Sequence, residues 1–300
     1  MPGELVVAGM VAVGLQLSLQ APVNGALARW TGPLGAALVS FLIGLVLVGI
    51  VLVASGGIPS GSALDSVRPY ELVGGLCGAG YVAAATFAIG RIGAGAVAAA
   101  TVAGQLSSGV AVDHFGGFGL DTSAVDPLRL LAIPLLMVGA LLVAGDRRAG
   151  GGHGLGAIRP LPVALVFLAG LAVGIQHPLN SSLAEGVGDL AATAANFATG
   201  SLVLLFAVLV TGGLGRLRQA ASAPPWAFTG GLFGAVTVLT SLAAVEVIGA
   251  STLAATTIAG ALAGSVLIDR FGIAGVAPRP VDGQRVIGLV MLAAGTAAVL

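Results

Sequence analysis

The sequence predicts an all-α integral membrane protein of ten transmembrane helices, arranged as two inverted five-helix repeats. Three observations predict it. Charge is scarce and the charge-free runs are long, the chain repeats itself at a constant offset, and the arginines alternate from loop to loop.

Of the 300 residues, 57% are apolar and 8% are charged, against about 25% charged in a soluble domain. So little charge cannot keep a protein surface wetted. Lipid is the solvent in which apolar side chains face outward without cost. A span needs about 20 mostly apolar residues. The stretches from Leu5 to Leu27 and from Thr31 to Leu64 carry no charge at all. The formal net charge is zero, so no basic patch points to nucleic acid. Cys77 is the only cysteine, which excludes an internal disulfide and a cysteine metal cluster. The start, Met1-Pro2-Gly3-Glu4, lacks the basic region of a signal peptide. The first apolar run therefore reads as a retained membrane helix.

Hydropathy places helices near 5–28, 34–54, 69–90, 94–113 and 128–145, then near 161–184, 190–210, 225–246, 250–269 and 284–300. Between the sets lies Asp146-Arg147-Arg148-Ala149-Gly150-Gly151-Gly152-His153-Gly154, a charged, glycine-rich linker. The expected units are a first repeat over 1–147, a cytoplasmic linker over 148–159, and a second, inverted repeat over 160–300.

A shift of 156 residues superimposes the sets. It pairs Gln20, Pro22 and Asn24 with Gln176, Pro178 and Asn180, Phe41 with Phe197, and Gly44 with Gly200. It also pairs Gly74, Gly75 and Gly78 with Gly230, Gly231 and Gly234, and Asp113-x-Phe115-Gly116 with Asp269-x-Phe271-Gly272. Alanine and glycine would match by chance in this composition; Gln, Asn, Asp and Phe at one offset would not.

Five spans per repeat put the second repeat in upside down. One side then holds ten arginines and the other only Arg68 and Arg129. This positive-inside bias makes the first side cytoplasmic and leaves both termini extracytoplasmic. Equivalent loops reverse charge: Arg29 is matched by Glu185.

Gln20-Ala21-Pro22-Val23-Asn24, Ser40-Phe41-Leu42-Ile43-Gly44, Gly74-Gly75, and Gly104-Gln105 followed by Asp113-His114-Phe115-Gly116 resemble the YdcZ-type family of the drug/metabolite transporter superfamily. The resemblance covers both halves. It implies five-span domains, here fused in antiparallel orientation, and an inner-membrane exporter. The second half departs from the motif: Ala261 stands opposite Gln105, and Arg270 opposite His114.

Inverted-repeat transporters bind substrate near the midplane, between the repeats. Gln16, Gln20 and Asn24 fall at i, i+4 and i+8 on one helix face. The equivalent helix offers Gln176, His177 and Asn180, and Gln105 lies in mid-helix beside Thr101, Ser107 and Ser108. Unpaired amides are costly in lipid, so these face either a substrate cavity or interhelical hydrogen bonds. Asp113, His114 and Asp269 sit at helix ends, as coupling or gating groups or as turn anchors. His177 reads as a proton relay or as a neutral hydrogen-bonded histidine.

The expected partners are the lipid bilayer and a small-molecule substrate, with no nucleic acid; a homo-oligomer is compatible with the sequence. No cofactor or metal is expected. The expected function is alternating-access export of a small neutral or zwitterionic metabolite from a multi-pass inner-membrane protein. The alternatives are a non-transporting membrane subunit and an intramembrane enzyme.

Overall fold

The structure is a computed structural model that describes residues 3–115, 127–144, 159–248 and 250–299. Its principal helices are α1 (Gly3–Leu17), α2 (Gln20–Ala54), α3 (Val73–Ile92), α4 (Ala94–Phe115) and α5 (Pro127–Ala144). They are followed by α6 (Pro160–Val187), α7 (Asp189–Val210), α8 (Gly230–Ile248), α9 (Ala250–Phe271) and α10 (Gly283–Val299). Short helical turns fill the loops at 61–72 and 214–228. Among the described residues there is no strand. Helices meet the demand of lipid that every backbone N–H be paired, because each finds its partner within its own segment.

Six helical stretches among the described residues are long and apolar enough to cross a membrane. The first runs from Gly3 to Ala54, 52 residues. Straight, it would be about 78 Å long, more than twice the ~30 Å hydrocarbon layer. It does not run straight. Gly32 has φ 74° and ψ 165°, outside helical space, so the chain turns there and restarts at Pro33. A tight turn at this φ suits glycine, which has no Cβ to clash. Gly188, 156 residues on, has φ 84° and ψ 155° between α6 and α7. The same break thus recurs at the matching place.

The sequence expected one unbroken helix over 5–28. The structure interrupts it at Ser18-Leu19, where the Leu19 amide donates to Gln16 O in a tighter turn. Pro22 then falls in the first turn of α2, where a missing N–H costs little. Pro178 stays inside α6 with helical torsions around it. Between α3 and α4 the chain breaks at a single residue: Gly93 has φ 83° and α4 begins at Ala94.

Helices cross where glycine removes side chain from the interface. A Cβ at Gly104 of α4 would overlap the Phe167 carbonyl of α6 and lie 2.8 Å from the Leu171 amide. A Cβ at Gly260 of α9 would overlap the Val11 carbonyl of α1 and lie 3.0 Å from the Leu15 amide. Small residues at such crossings let backbones approach, which drives association where no hydrophobic effect operates between helices. On α2 and α7, Phe41 and Phe197 meet edge to face with centroids 5.3 Å apart. Each ring fills the space left by the other helix's glycine, Phe197 at Gly44 and Phe41 at Gly200. Gly139 of α5 and Gly295 of α10 pack against Leu292 and Leu136 in the same reciprocal way. The core is correspondingly light: Ala36, Ala37, Ala79, Ala88, Ala96, Ala99 and Ala103 are all fully buried.

Candidate functional site

The amides picked out by sequence come together with glycines, not with one another along an open stripe. Asn24 is buried, and its Nδ2 donates to Ser40 Oγ at 3.3 Å. Its Oδ1 sits in a notch at Gly230, where a Cβ would collide with it. Gln20 lies over Gly234, whose Cβ would come 2.6 Å from its Nε2. The arrangement recurs 156 residues away. Gln176 Nε2 donates to Asn196 Oδ1 at 3.3 Å and lies against Gly78. Asn180 Oδ1 fills the notch at Gly74. The two glycine pairs, Gly74 with Gly78 and Gly230 with Gly234, are spaced i and i+4, a spacing that lets helices pack closely. They also cradle the polar groups of the facing helix.

One feature of the notches is chemically open. Among the described residues, Asn24 Oδ1 and Asn180 Oδ1 are buried with no hydrogen-bond partner. An unpaired buried acceptor costs about 1–3 kcal/mol. Here the cost falls twice, at matching positions.

Gln16 does not join this set. Its Nε2 donates to Phe233 O at 3.0 Å and to Thr237 Oγ1 at 2.9 Å on α8. Gln105 pairs instead with His177, Nε2 to Nε2 at 2.9 Å, on the exposed edge of the α4–α6 contact. The neighbouring hydroxyls close locally on their own helices: Thr101 onto Val97 O, Ser107 onto Ala103 O and Ser108 onto Gln105 O.

At one end of the bundle Asp269 is almost fully buried. Its carboxylate accepts from the backbone amides of Ala94 at 2.7 Å and Gly95 at 3.0 Å. It thereby caps the N-terminus of α4 from another helix, where a negative charge meets the positive end of the helix dipole. Arg285 reaches the same carboxylate at 3.5 Å. Arg279 donates to Ile92 O at 2.6 Å and Arg91 O at 3.0 Å, at the C-terminus of α3. The break at Gly93 is therefore clamped by a carboxylate on one flank and a guanidinium on the other. The Asp113 side chain lies outside the described residues. His114 is exposed, with its ring edge-on to Phe115.

The opposite end of α3 holds a smaller contact. Glu71 is buried; its Oε1 accepts from Ser182 Oγ at 2.7 Å and its Oε2 from the Arg68 amide at 2.9 Å. The sequence marked none of Glu71, Ser182, Ser40 and Asn196 as a site residue, although Ser40 falls within one of the family motifs. The usable signal was Asn196, the one amide in the apolar run of α7, matched by Ser40 at the 156-residue offset.

Two pockets lie away from the amides. One, about 290 Å³, opens beside Leu72, Leu183 and Val187 near the Glu71 contact. The other, about 480 Å³, opens beside Leu19, Val23 and Arg29.

Comparison with known proteins places the sequence in a family. The model described as "Putative inner membrane exporter, YdcZ" matches residues 5–142 and again residues 161–298. The two matches stand 156 residues apart, the offset at which the contacts recur. The chain is also 35% identical over 152 residues to the Inner membrane protein YdcZ of Escherichia coli (strain K12). That alignment spans 47% of this chain and 95% of the relative, so the relative is about half as long. A multi-pass inner-membrane location and a general role in export follow from the family and the apolar helices; catalysis does not. With both halves matched, the chain belongs to the YdcZ family of inner membrane exporters.

Proposed function

We propose that this chain exports a small neutral or zwitterionic metabolite by alternating access between two inverted five-helix repeats, residues 1–147 and 160–300. The carrying observation is the pair of matching amide notches, with Asn24 and Asn180 each holding an unpaired acceptor against a glycine of the facing helix. Parting of the helices at Gly74 or Gly230 exposes these acceptors, and a polar substrate completes their hydrogen bonds. Gln20 and Gln176 extend the polar lining beside the notches, and Gln16, Gln105 and His177 offer further polar groups away from them. The recurrence of breaks, notches and glycine crossings at one offset supports the ten-helix, two-repeat reading.

The two ends of the bundle supply gates of unequal strength. The Asp269 carboxylate ties α9 to two backbone amides of α4 and to Arg285, whereas Glu71 reaches α6 through one hydroxyl, its other bond being to the Arg68 amide of its own turn. Every one of these bonds accepts at a carboxylate and is charge-assisted, so the number of contacts between helices decides. Opening at the Glu71 end is therefore the easier movement. Among the described residues no carboxylate stands unpaired in mid-span, which disfavours a permanent cation as cargo.

Proteoliposome uptake tests this reading. Asn180→Leu should lower transport of the neutral or zwitterionic substrate at least about tenfold, the loss of one interaction of about 1.4 kcal/mol, with little change in melting temperature. Quaternary ammonium dyes should remain poor substrates. Equal losses of transport and thermal stability would make the notches packing devices; saturable, pH-gradient-driven dye transport would overturn the substrate class.

Orientation has its own test. Arg29, Arg216 and Arg279 gather at one end of the bundle, around Gly275, Gly32 and Gly93. The Glu71–Ser182 contact marks the other end. This supports a cytoplasmic Arg-rich end, a cytoplasmic linker over 148–159 and extracytoplasmic termini. In a Cys77→Ala background, Gly3→Cys should label with an impermeant thiol reagent in intact cells and Gly151→Cys only after lysis. The reverse pattern would invert the topology.

A further inference from the structure

We propose that the pocket between the first membrane crossing and the α9–α10 loop is a binding site for the headgroup phosphate of an anionic phospholipid. The site does not depend on what the chain transports. Its walls are apolar, formed by Leu19, Val23 and Ile273, and it holds about 480 Å³. Arg29 and Trp226 also line it, and both are exposed. The composition suits an amphiphile, with an acyl or glycerol portion against the walls and an anion at the guanidinium.

Arg29 is fixed in place for this role. Its Nη2 donates to Gly275 O at 3.0 Å, and among the described residues that is the one hydrogen bond it makes. A guanidinium carries five N–H donors in a planar fork that matches a phosphate, so most of its donors remain for a ligand. The loop is shaped to receive it. Gly272, Ala274 and Gly275 all have positive φ, Ala274 at 56° despite its side chain. A Cβ at Gly275 would collide with Arg29 Nη2.

The level in the membrane favours a lipid over a soluble anion. Arg29 is the first charge after the run from Leu5 to Leu27, and Trp226 stands just ahead of α8. Arginine and tryptophan at span ends lie at headgroup depth. Arg216 adds positive charge nearby, its guanidinium lying by Gly32, one turn beyond Arg29. The matching positions at the other end of the bundle are Glu185 and Tyr70. A carboxylate there repels an anion, so the site is built at one end only.

The test uses the full chain, purified and delipidated in a neutral detergent. Phosphatidylglycerol should raise the melting temperature by at least about 2 °C, as a ligand of the folded state does. Phosphatidylcholine and inorganic phosphate should each give less than half that shift. Arg29→Gln should abolish the phosphatidylglycerol response, and Arg29→Lys should keep part of it. If Arg29→Gln does not fold, Trp226→Ala provides the second variant and should at least halve the shift. A full shift in Arg29→Gln, or an unchanged one in Trp226→Ala, overturns the site. A phosphatidylcholine shift as large removes the requirement for an anionic lipid. A shift reproduced by inorganic phosphate alone overturns the lipid as occupant.

Discussion

Asp269→Ala should destabilise the folded protein by about 3–5 kcal/mol, the cost of breaking a buried ion pair by removing one partner. The substitution strips the Ala94 and Gly95 amides of their acceptor and leaves Arg285 beside an empty, buried position. It also releases the clamp on Gly93 that Arg279 completes from the other flank. Asp269→Asn should cost less, because the amide oxygen still accepts from one backbone N–H. Thermal unfolding in detergent reads the difference. The ordering parent, then asparagine, then alanine is expected; an alanine variant melting within about 1 °C of the parent would refute the capping role. The same position serves the transport reading, since weakening it should favour opening at the Arg-rich end.

Gly104→Ala and Gly109→Ala make the second strong contrast. They are the same substitution on the same helix. At Gly104 the new methyl meets the Phe167 carbonyl and the Leu171 amide of α6, backbone atoms that cannot rotate aside. At Gly109 nothing lies within 4 Å. Overpacking should cost Gly104→Ala about 1–3 kcal/mol, while Gly109→Ala should gain up to about 1 kcal/mol from helix propensity. Gly260→Ala should behave like Gly104→Ala, because its methyl meets the Val11 carbonyl of α1. Melting temperatures of the three variants decide it. Equal effects at positions 104 and 109 would mean that the α4–α6 crossing is not set by close backbone approach.

The hydroxyl and amide roles separate the two levels of reading. Thr101, Ser107 and Ser108 bond carbonyls three or four residues back, which a helical serine or threonine carries within its own segment. The amides were legible as polar groups needing a partner, but their partners were not. Asn24 and Ser40 are 16 residues apart, and Gln16 reaches Phe233 and Thr237 across more than 200. Glu71 looked like an ordinary residue at a helix start; burial against Ser182 became visible only when α6 was packed on it.

By itself the sequence determined the solvent, the helical content, the duplication and the family motifs. Each is a property of composition or of spacing along one chain; lipid admits only helices or closed barrels, and apolar runs of about 20 residues select helix. The match of Gly32 with Gly188 lay in the same offset, although the left-handed torsion they share did not. Tertiary structure alone decided which polar groups meet. It turned the i, i+4 glycines into amide notches and made Asp269 the cap of a helix 174 residues distant in sequence from it. The reason is physical: a helix presents side chains on every face, and its neighbours choose which face is buried. In a membrane that choice rests on close packing at glycines and on satisfying polar atoms, and both depend on atoms that no single segment contains.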